Sequence, residues 1–116
     1  MLKKSLRLGE KRDFSKVFCQ GKSTFFNELG CKYLVVPQPS LRLGFVFSKK
    51  HLPLATQRNR LRRVLSEAFF QLQNKWPAGV DIVLFTIKKP KKINTQINLP
   101  IIRHFLEHIK KNLKTI

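Results

Sequence analysis

The sequence predicts an α+β fold in which three helices pack on a four-stranded sheet. Three segments carry apolar residues at helical spacing, and four others are rich in β-branched and aromatic residues. These segments follow one another in the order α-β-β-β-α-β-α. Hydrophobic residues make up 42% of the chain and include ten Phe, enough to form a core. The 116 residues suit one compact domain over 1–116, built as an α+β sandwich.

The first half of the chain predicts one short helix and three strands. Phe14, Val17 and Phe18 lie at i, i+3 and i+4 in "EKRDFSKVFCQG", and Gly21 is a plausible end for that helix. "STFF", "GCKYLVVP" and "LRLGFVFS" have strand composition, with "PQPS" as a turn. Because the links are short, we expect these strands to be antiparallel neighbours. Phe45 and Phe47 share one strand face, which could be core or cleft.

The second half predicts two helices around a central strand. A long helix runs roughly from Leu54 to Lys75 and ends at "WPAG", since Pro77 cannot continue it. "VDIVLFTI" is mostly apolar, which is typical of a strand buried on both faces. After the basic loop "KKPKK", the last helix runs roughly from Leu99 to Leu113, with Pro100 in its first turn. Its apolar stripe consists of Ile102, Phe105, Leu106, Ile109 and Leu113.

The charge of the chain predicts a polyanionic partner. Twenty-four Lys and Arg face six Asp and Glu, which gives a net charge of +18. The longest apolar runs are about seven residues, against the roughly 20 that a membrane-spanning helix needs. The basic N-terminus is not followed by the apolar core of a signal peptide. We therefore expect nucleic acid rather than membrane as partner, a cytoplasmic location, and free thiols at Cys19 and Cys31.

The strongest local signal is a run of arginines at the start of the long helix. Four of them lie between Arg58 and Arg63, and no acidic residue occurs between Glu28 and Glu67. At about 100° per residue the helix has an apolar arc, formed by Leu61, Val64, Leu65, Ala68, Phe69 and Leu72. Most of the arginines lie on the opposite side, and Arg58, at the edge of the apolar arc, is expected to extend into water from the first turn. A merely solvated face would show mixed signs in i,i+4 pairs, so this pattern indicates a phosphate-binding face.

One segment resembles the signature of a known family. "FSKKHLPLATQRNRLRRVLSEAFF" is similar to the bacterial ribonuclease P protein subunit, in which Ser-Lys-Lys precedes Arg-Asn-Arg and further bases on a long helix. "LRLGEKRDFSKVFCQGK" resembles the opening of that family and "DIVLFTIKKP" its last strand, so the resemblance covers nearly the whole chain. Ser66 is a departure, because family members often have another arginine there.

The resemblance implies an RNA-binding subunit with no active site of its own. The implied partners are a catalytic RNA, with one protein per RNA, and precursor tRNA, whose 5′ leader the particle removes using Mg²⁺ held mainly by the RNA. It also implies a left-handed crossover between the third and fourth strands, against the usual rule. The residues implied to bind the RNA subunit are Lys49, Lys50, Arg58, Asn59, Arg60, Arg62 and Arg63. Those implied to bind the leader, in a cleft between the first helix and the sheet, are Phe14, Phe18, Tyr33 and Lys11. By spacing alone, Phe14 and Phe18 would be assigned to the core.

The residues do not predict a catalytic site within the chain. Metal nucleases need clustered carboxylates, and the six acids are scattered. Asp13 and Asp81 are interpreted as capping or solubilising residues. His104 and His108 have a spacing that can hold zinc, but no further ligand is evident, which favours exposed histidines.

Two other classes of basic protein are alternatives. A structural ribosomal protein would more often carry long basic tails than an arginine-bearing helix in a folded domain. A DNA-binding repressor would usually contain a short helix–turn–helix, and none is evident around the long helix.

Overall fold

The computed structural model describes residues 7–9, 11–37, 41–91 and 93–114, without the side chains of residues 113 and 114. The predicted order of helices and strands is confirmed. Residues 1–6 and Lys92, which belong to basic clusters of the sequence, lie outside the described residues. The elements are α1 (Lys11–Gln20), β1 (Lys22–Phe26), β2 (Leu29–Val35), β3 (Arg42–Val46), α2 (Ala55–Gln71), β4 (Val80–Thr86) and α3 (Thr95–Lys114).

The four strands form one sheet in the order β1-β2-β4-β3. β1, β2 and β4 pair antiparallel, whereas β3 pairs parallel with β4. The prediction that the first three strands are antiparallel neighbours is therefore wrong for β3. β4 is buried along its whole length except at Phe85, which is typical of a strand that lies between two neighbours, here β2 and β3. β3 therefore lies at an edge of the sheet. The handedness of the β3-α2-β4 crossover stays a prediction.

The helices lie on both faces of the sheet. Side chains alternate along β4, so that Ile82 and Leu84 pack in the core with α2 and α3, while Val83 packs on the other face against Val17 of α1. The larger core includes Leu61, Leu65 and Phe69 of α2 and Ile102, Phe105 and Ile109 of α3. Both predicted apolar helix faces are thus confirmed in the main: Val64 is only half-buried, and the side chain of Leu113 lies outside the described residues. α1 covers the opposite face of the sheet from α2 and α3.

The ends of α2 and α3 differ by about one turn from the prediction. α2 ends at Gln71, and a short 3₁₀ turn (Gln73–Lys75) completes the predicted length. α3 begins at Thr95 because the side-chain oxygen of Asn94 accepts a hydrogen bond from the N–H of Ile97 (2.8 Å), which caps the first turn. Pro100 therefore lies inside the helix, on its exposed side.

The remaining sequence predictions about thiols and membranes have simple outcomes. Cys19 is exposed, Cys31 is buried, and both are free thiols, as expected. Burial raises the pKa of the Cys31 thiol well above its usual range, so it is a core residue and not a reactive one. Within the described ranges, no helix combines the length and apolar character needed to cross a bilayer.

Candidate nucleic-acid interface

The basic face of α2 consists of Arg58, Asn59, Arg60, Arg62 and Arg63. Arg60 and Arg63 are exposed and form no hydrogen bond or ion pair with any residue that the structure describes. Arg62 is also exposed; its Nη1 donates to Oδ1 of Asn59 (3.0 Å), and its guanidinium lies 5.6 Å from the ring centre of Phe47. Three guanidinium groups therefore reach solvent from adjacent turns, and none of them forms an ion pair with a carboxylate in the part of the chain that the structure describes.

Arg58 has a structural role that the sequence did not predict. We expected its side chain to extend into water from the first turn of α2, and this is wrong. The side chain is half-buried, and its Nη1 donates to the backbone carbonyls of Leu52 (2.8 Å) and Pro53 (3.1 Å). Arg58 thus links the loop before α2 to the helix, and its charge remains part of the basic face.

A turn that carries two lysines precedes α2. The N–H of Ser48 donates to the hydroxyl of Thr86 (3.0 Å), and Nδ1 of His51 lies 3.0 Å from the same hydroxyl. Thr86 is buried at the end of β4, so it holds both ends of the turn. Lys49 and Lys50 are exposed between these two contacts. The structure thereby places the two predicted lysines where β3 and β4 end, next in sequence to α2.

A separate aromatic surface lies on the α1 face of the sheet. We define it by Phe14, Phe18, Phe25, Phe85 and Lys32. Phe14 and Phe18 are half-buried and pack with Val83. Phe18 lies 5.9 Å from Phe85, ring centre to ring centre, and Phe25 meets Phe85 edge-on at 6.0 Å. Phe25 is 56% exposed, so this row of rings continues from the core into solvent.

Lys32 and Phe85 belong to this surface but were not among the predicted site residues. Nζ of Lys32 donates to the carbonyl oxygen of Phe18 (3.1 Å) and lies 5.1 Å from the centre of the Phe18 ring. The available signal was a lysine in the middle of the otherwise apolar strand "GCKYLVV". Phe85 had no comparable signal, because its place depends on Gly30, whose missing side chain leaves room for the Phe85 ring.

The prediction that Tyr33 shares a cleft with Phe14 and Phe18 is wrong. Lys32 and Phe18 are on the α1 face, so the alternation of β2 turns Tyr33 toward α3. Tyr33 is 3% exposed, and its hydroxyl accepts a hydrogen bond from Nδ2 of Asn112 (2.6 Å). Lys11 is exposed at the first residue of α1, one turn before Phe14, and its role stays a prediction.

An ion-pair network fixes α1 on the sheet. Arg42 of β3 donates to both carboxylate oxygens of Asp81 (2.8 and 2.6 Å), and its Nη1 lies 3.5 Å from Oδ2 of Asp13 on α1. Asp13 and Asp81 are therefore not mere capping or solubilising residues. Because Asp81 is buried, removing one partner of such a pair costs about 3–5 kcal/mol in typical cases. The network helps to set where Phe14, the neighbour of Asp13, meets the sheet.

The described residues do not fit a site for Mg²⁺. The described part of the chain contains no group of three His, Cys, Asp or Glu that could hold a metal ion. The buried carboxylate of Asp81 is already paired with Arg42. His104 packs against the ring of Phe26 (4.5 Å between centres), and His108 lies 3.0 Å from Nδ2 of Asn112.

Comparisons with known proteins show that this chain is similar to the members of one family. The sequence model of the family described as ribonuclease P matches residues 2–114. The ribonuclease P protein component of Pseudanabaena is 35% identical over 97 residues, which cover 83% of this chain and 84% of that protein. The solved ribonuclease P protein of Thermotoga maritima is 30% identical, with a TM-score of 0.65 over 95% of this chain and 96% of that one. That of Staphylococcus aureus has a TM-score of 0.79 over 92% and 97% of the two chains; at 23% identity it is similar in fold.

Proposed function

The chain belongs to the ribonuclease P protein family, and from this premise we propose that it is the RNA-binding subunit of a ribonuclease P. In this role it binds a catalytic RNA and the 5′ leader of precursor tRNA, and it promotes cleavage at the start of the mature tRNA. The domain formed by residues 1–116 acts in the cytoplasm, with one copy per RNA. The two free thiols fit a reducing compartment.

The catalytic RNA docks on the basic face of α2 and on the adjoining lysine turn. The observation that carries this assignment is that Arg60 and Arg63 project into solvent without a partner among the described residues. Arginine presents a rigid fork of donors that matches phosphate oxygens in pairs. Arg58 and Thr86 position the neighbouring segments, so the cations are held on a fixed support rather than on a flexible tail. A fixed array suits the fixed spacing of phosphates in a folded RNA.

The 5′ leader binds along the aromatic surface on the other face of the sheet. A row of rings beside a lysine is the arrangement that binds single-stranded RNA through stacking. Such stacking tolerates any base, which suits a leader that differs from one precursor to the next. Phe18 and Phe85 form the inner part of this row, and Phe25 is its most exposed ring. Placing the two surfaces on opposite faces lets one small domain contact both RNAs at once.

The protein contributes binding and orientation rather than hydrolytic groups. Among the described side chains, the carboxylates are paired or scattered and do not form a site for a divalent ion. Magnesium, bound mainly by the RNA subunit, would supply the activated water. The chain's part is then to hold the leader and thereby favour precursor over mature tRNA.

The RNA that co-purifies with the chain tests this proposal. A tagged chain, expressed in the cells that encode it and isolated at moderate salt, is expected to retain one abundant structured RNA that cleaves precursor tRNA after the protein is removed. Ribosomal RNA in its place would favour the ribosomal alternative. Recovery of DNA fragments alone would favour a repressor.

A further inference from the structure

A pocket of about 240 Å³ opens along the edge of β3, between the basic face of α2 and the aromatic surface. This volume is below the roughly 300 Å³ at which pockets for drug-sized ligands begin, so it suits a smaller group such as one nucleobase. Because β3 is an edge strand, the pocket is reached from both faces of the sheet: Phe45 comes from the α2 side, and Phe14 packs over Gly44 from the α1 side. The lining residues are Arg7, Leu8, Phe14, Leu43, Gly44, Phe45, Arg62 and Ser66.

Ser66 gives this mainly apolar pocket one hydroxyl on its wall. Its exposed fraction is 7%, and its hydroxyl forms no hydrogen bond with any residue in the described ranges. No fully buried side-chain oxygen or nitrogen of a described residue lacks a hydrogen-bond partner, so the hydroxyl of Ser66 is accessible from the pocket, where it can both donate to and accept from a ligand. The polar edge of a base offers donors and acceptors of this kind. Ser66 therefore indicates a ligand that is flat and apolar on its faces but polar at its rim.

Two arginines at the pocket add the charge that a nucleotide requires. Arg7 and Arg62 are both exposed, and no acidic residue is among the described lining residues. A guanidinium can stack on a flat ring and can also pair with a phosphate. An apolar slot, an accessible hydroxyl on its wall and two exposed cations together match a ribonucleotide whose base is unpaired.

We propose that this pocket receives one unpaired base of the catalytic RNA, with a flanking phosphate on Arg7 and Arg62. We assign the base to the catalytic RNA and not to the leader because Arg62 and Ser66 belong to α2, the helix that docks that RNA. This inference rests on the proposed function. It adds a contact to a base to a surface whose other proposed contacts are to phosphates.

Replacing Ser66 by Leu tests the pocket, because the larger side chain fills it without changing the net charge. The matched control is Gln71→Leu, which makes a similar change at an exposed position of the same helix. Affinity for the purified catalytic RNA is measured over a range of salt concentrations. We expect Ser66→Leu to weaken binding about tenfold, within the range for loss of one stacked base. The slope of log affinity against log salt should stay unchanged, since no phosphate contact is removed.

The possible outcomes separate this inference from the proposed function. Unchanged affinity of Ser66→Leu, or a loss seen only with leader-bearing precursor tRNA, would overturn the pocket while leaving the subunit assignment intact. Failure of the wild-type chain to bind the catalytic RNA would overturn both. If Ser66→Leu melts well below the wild type, its loss of affinity does not test the pocket. The wild-type chain is then titrated with AMP and, separately, with ribose 5-phosphate, and binding is followed by NMR. The backbone amide signals of Gly44 and Ser66 should shift with AMP alone, and equal shifts or none would contradict a base pocket.

Discussion

Changing Arg60 and Arg63 together to Glu is expected to weaken binding of the chain to the catalytic RNA by about 100-fold or more. Hydrogen bonds to charged groups contribute about 1.5–3 kcal/mol each, and both side chains are placed to make them. The slope of log affinity against log salt should fall by about 1.4 to 1.8 for two lost phosphate contacts. Both residues are exposed and lie off the apolar arc of α2, so the melting temperature should change little. Filter binding at several salt concentrations gives both quantities.

The control for this double variant is Arg103→Glu combined with Lys111→Glu. These residues are exposed on α3, and the change in net charge is identical. If the basic face of α2 is the docking surface, the α3 variant should lose much less affinity. Equal losses in the two variants would mean that the RNA responds only to the overall charge of the protein.

Truncating the rings of the aromatic surface is expected to weaken binding of precursor tRNA to the reconstituted particle, with mature tRNA almost unaffected. Phe14→Ala and Phe18→Ala should each reduce precursor affinity by about five- to a hundredfold, because stacking contributes about 1–3 kcal/mol per base. The physical reason is that only the precursor has a leader to place on these rings. Precursor and mature affinities are measured side by side.

Phe14 and Phe18 are half-buried, so their truncation also costs stability, up to about 3–5 kcal/mol for a buried ring. Phe25→Ala avoids this difficulty, since its ring is 56% exposed. Its control is Phe70→Ala, because this ring is 57% exposed and belongs to α2, which covers the opposite face of the sheet from the aromatic surface. We expect Phe25→Ala to reduce precursor affinity and Phe70→Ala to have no effect. If all the ring variants lower the affinities for precursor and mature tRNA alike, together with the melting temperature, the rings are core and the leader site lies elsewhere.

Local sequence patterns were sufficient for the helices and strands but not for the neighbours of each strand. Apolar spacing located α1, α2 and α3, and the unbroken apolar run of β4 identified it as a central strand. The place of β3 depends on which strand β4 pairs with, a long-range choice that short links do not reveal. Hence β3 was wrongly expected beside β2.

The candidate site also has parts that local helix and strand geometry predicts and parts that depend on long-range packing. The arginines of α2 lie opposite its apolar arc, so helical geometry alone places Arg60, Arg62 and Arg63 on one face. Arg58 differs because its partners are the carbonyls of a loop whose path the sequence does not give. On the sheet, strand alternation puts Tyr33 and Lys32 on opposite faces. Only the packing of α1 decides which of those faces contains the aromatic surface.

Cleavage of a precursor tRNA by the purified components tests the central claim most directly. The chain, the catalytic RNA that co-purifies with it, and a precursor with a labelled leader are combined in Mg²⁺ at an ionic strength where the RNA alone cleaves slowly. We expect the protein alone to be inert and the mixture to release the leader much faster than the RNA alone. Cleavage by nuclease-free protein at a rate near that of the mixture, or a mixture no faster than the RNA alone, would contradict the account.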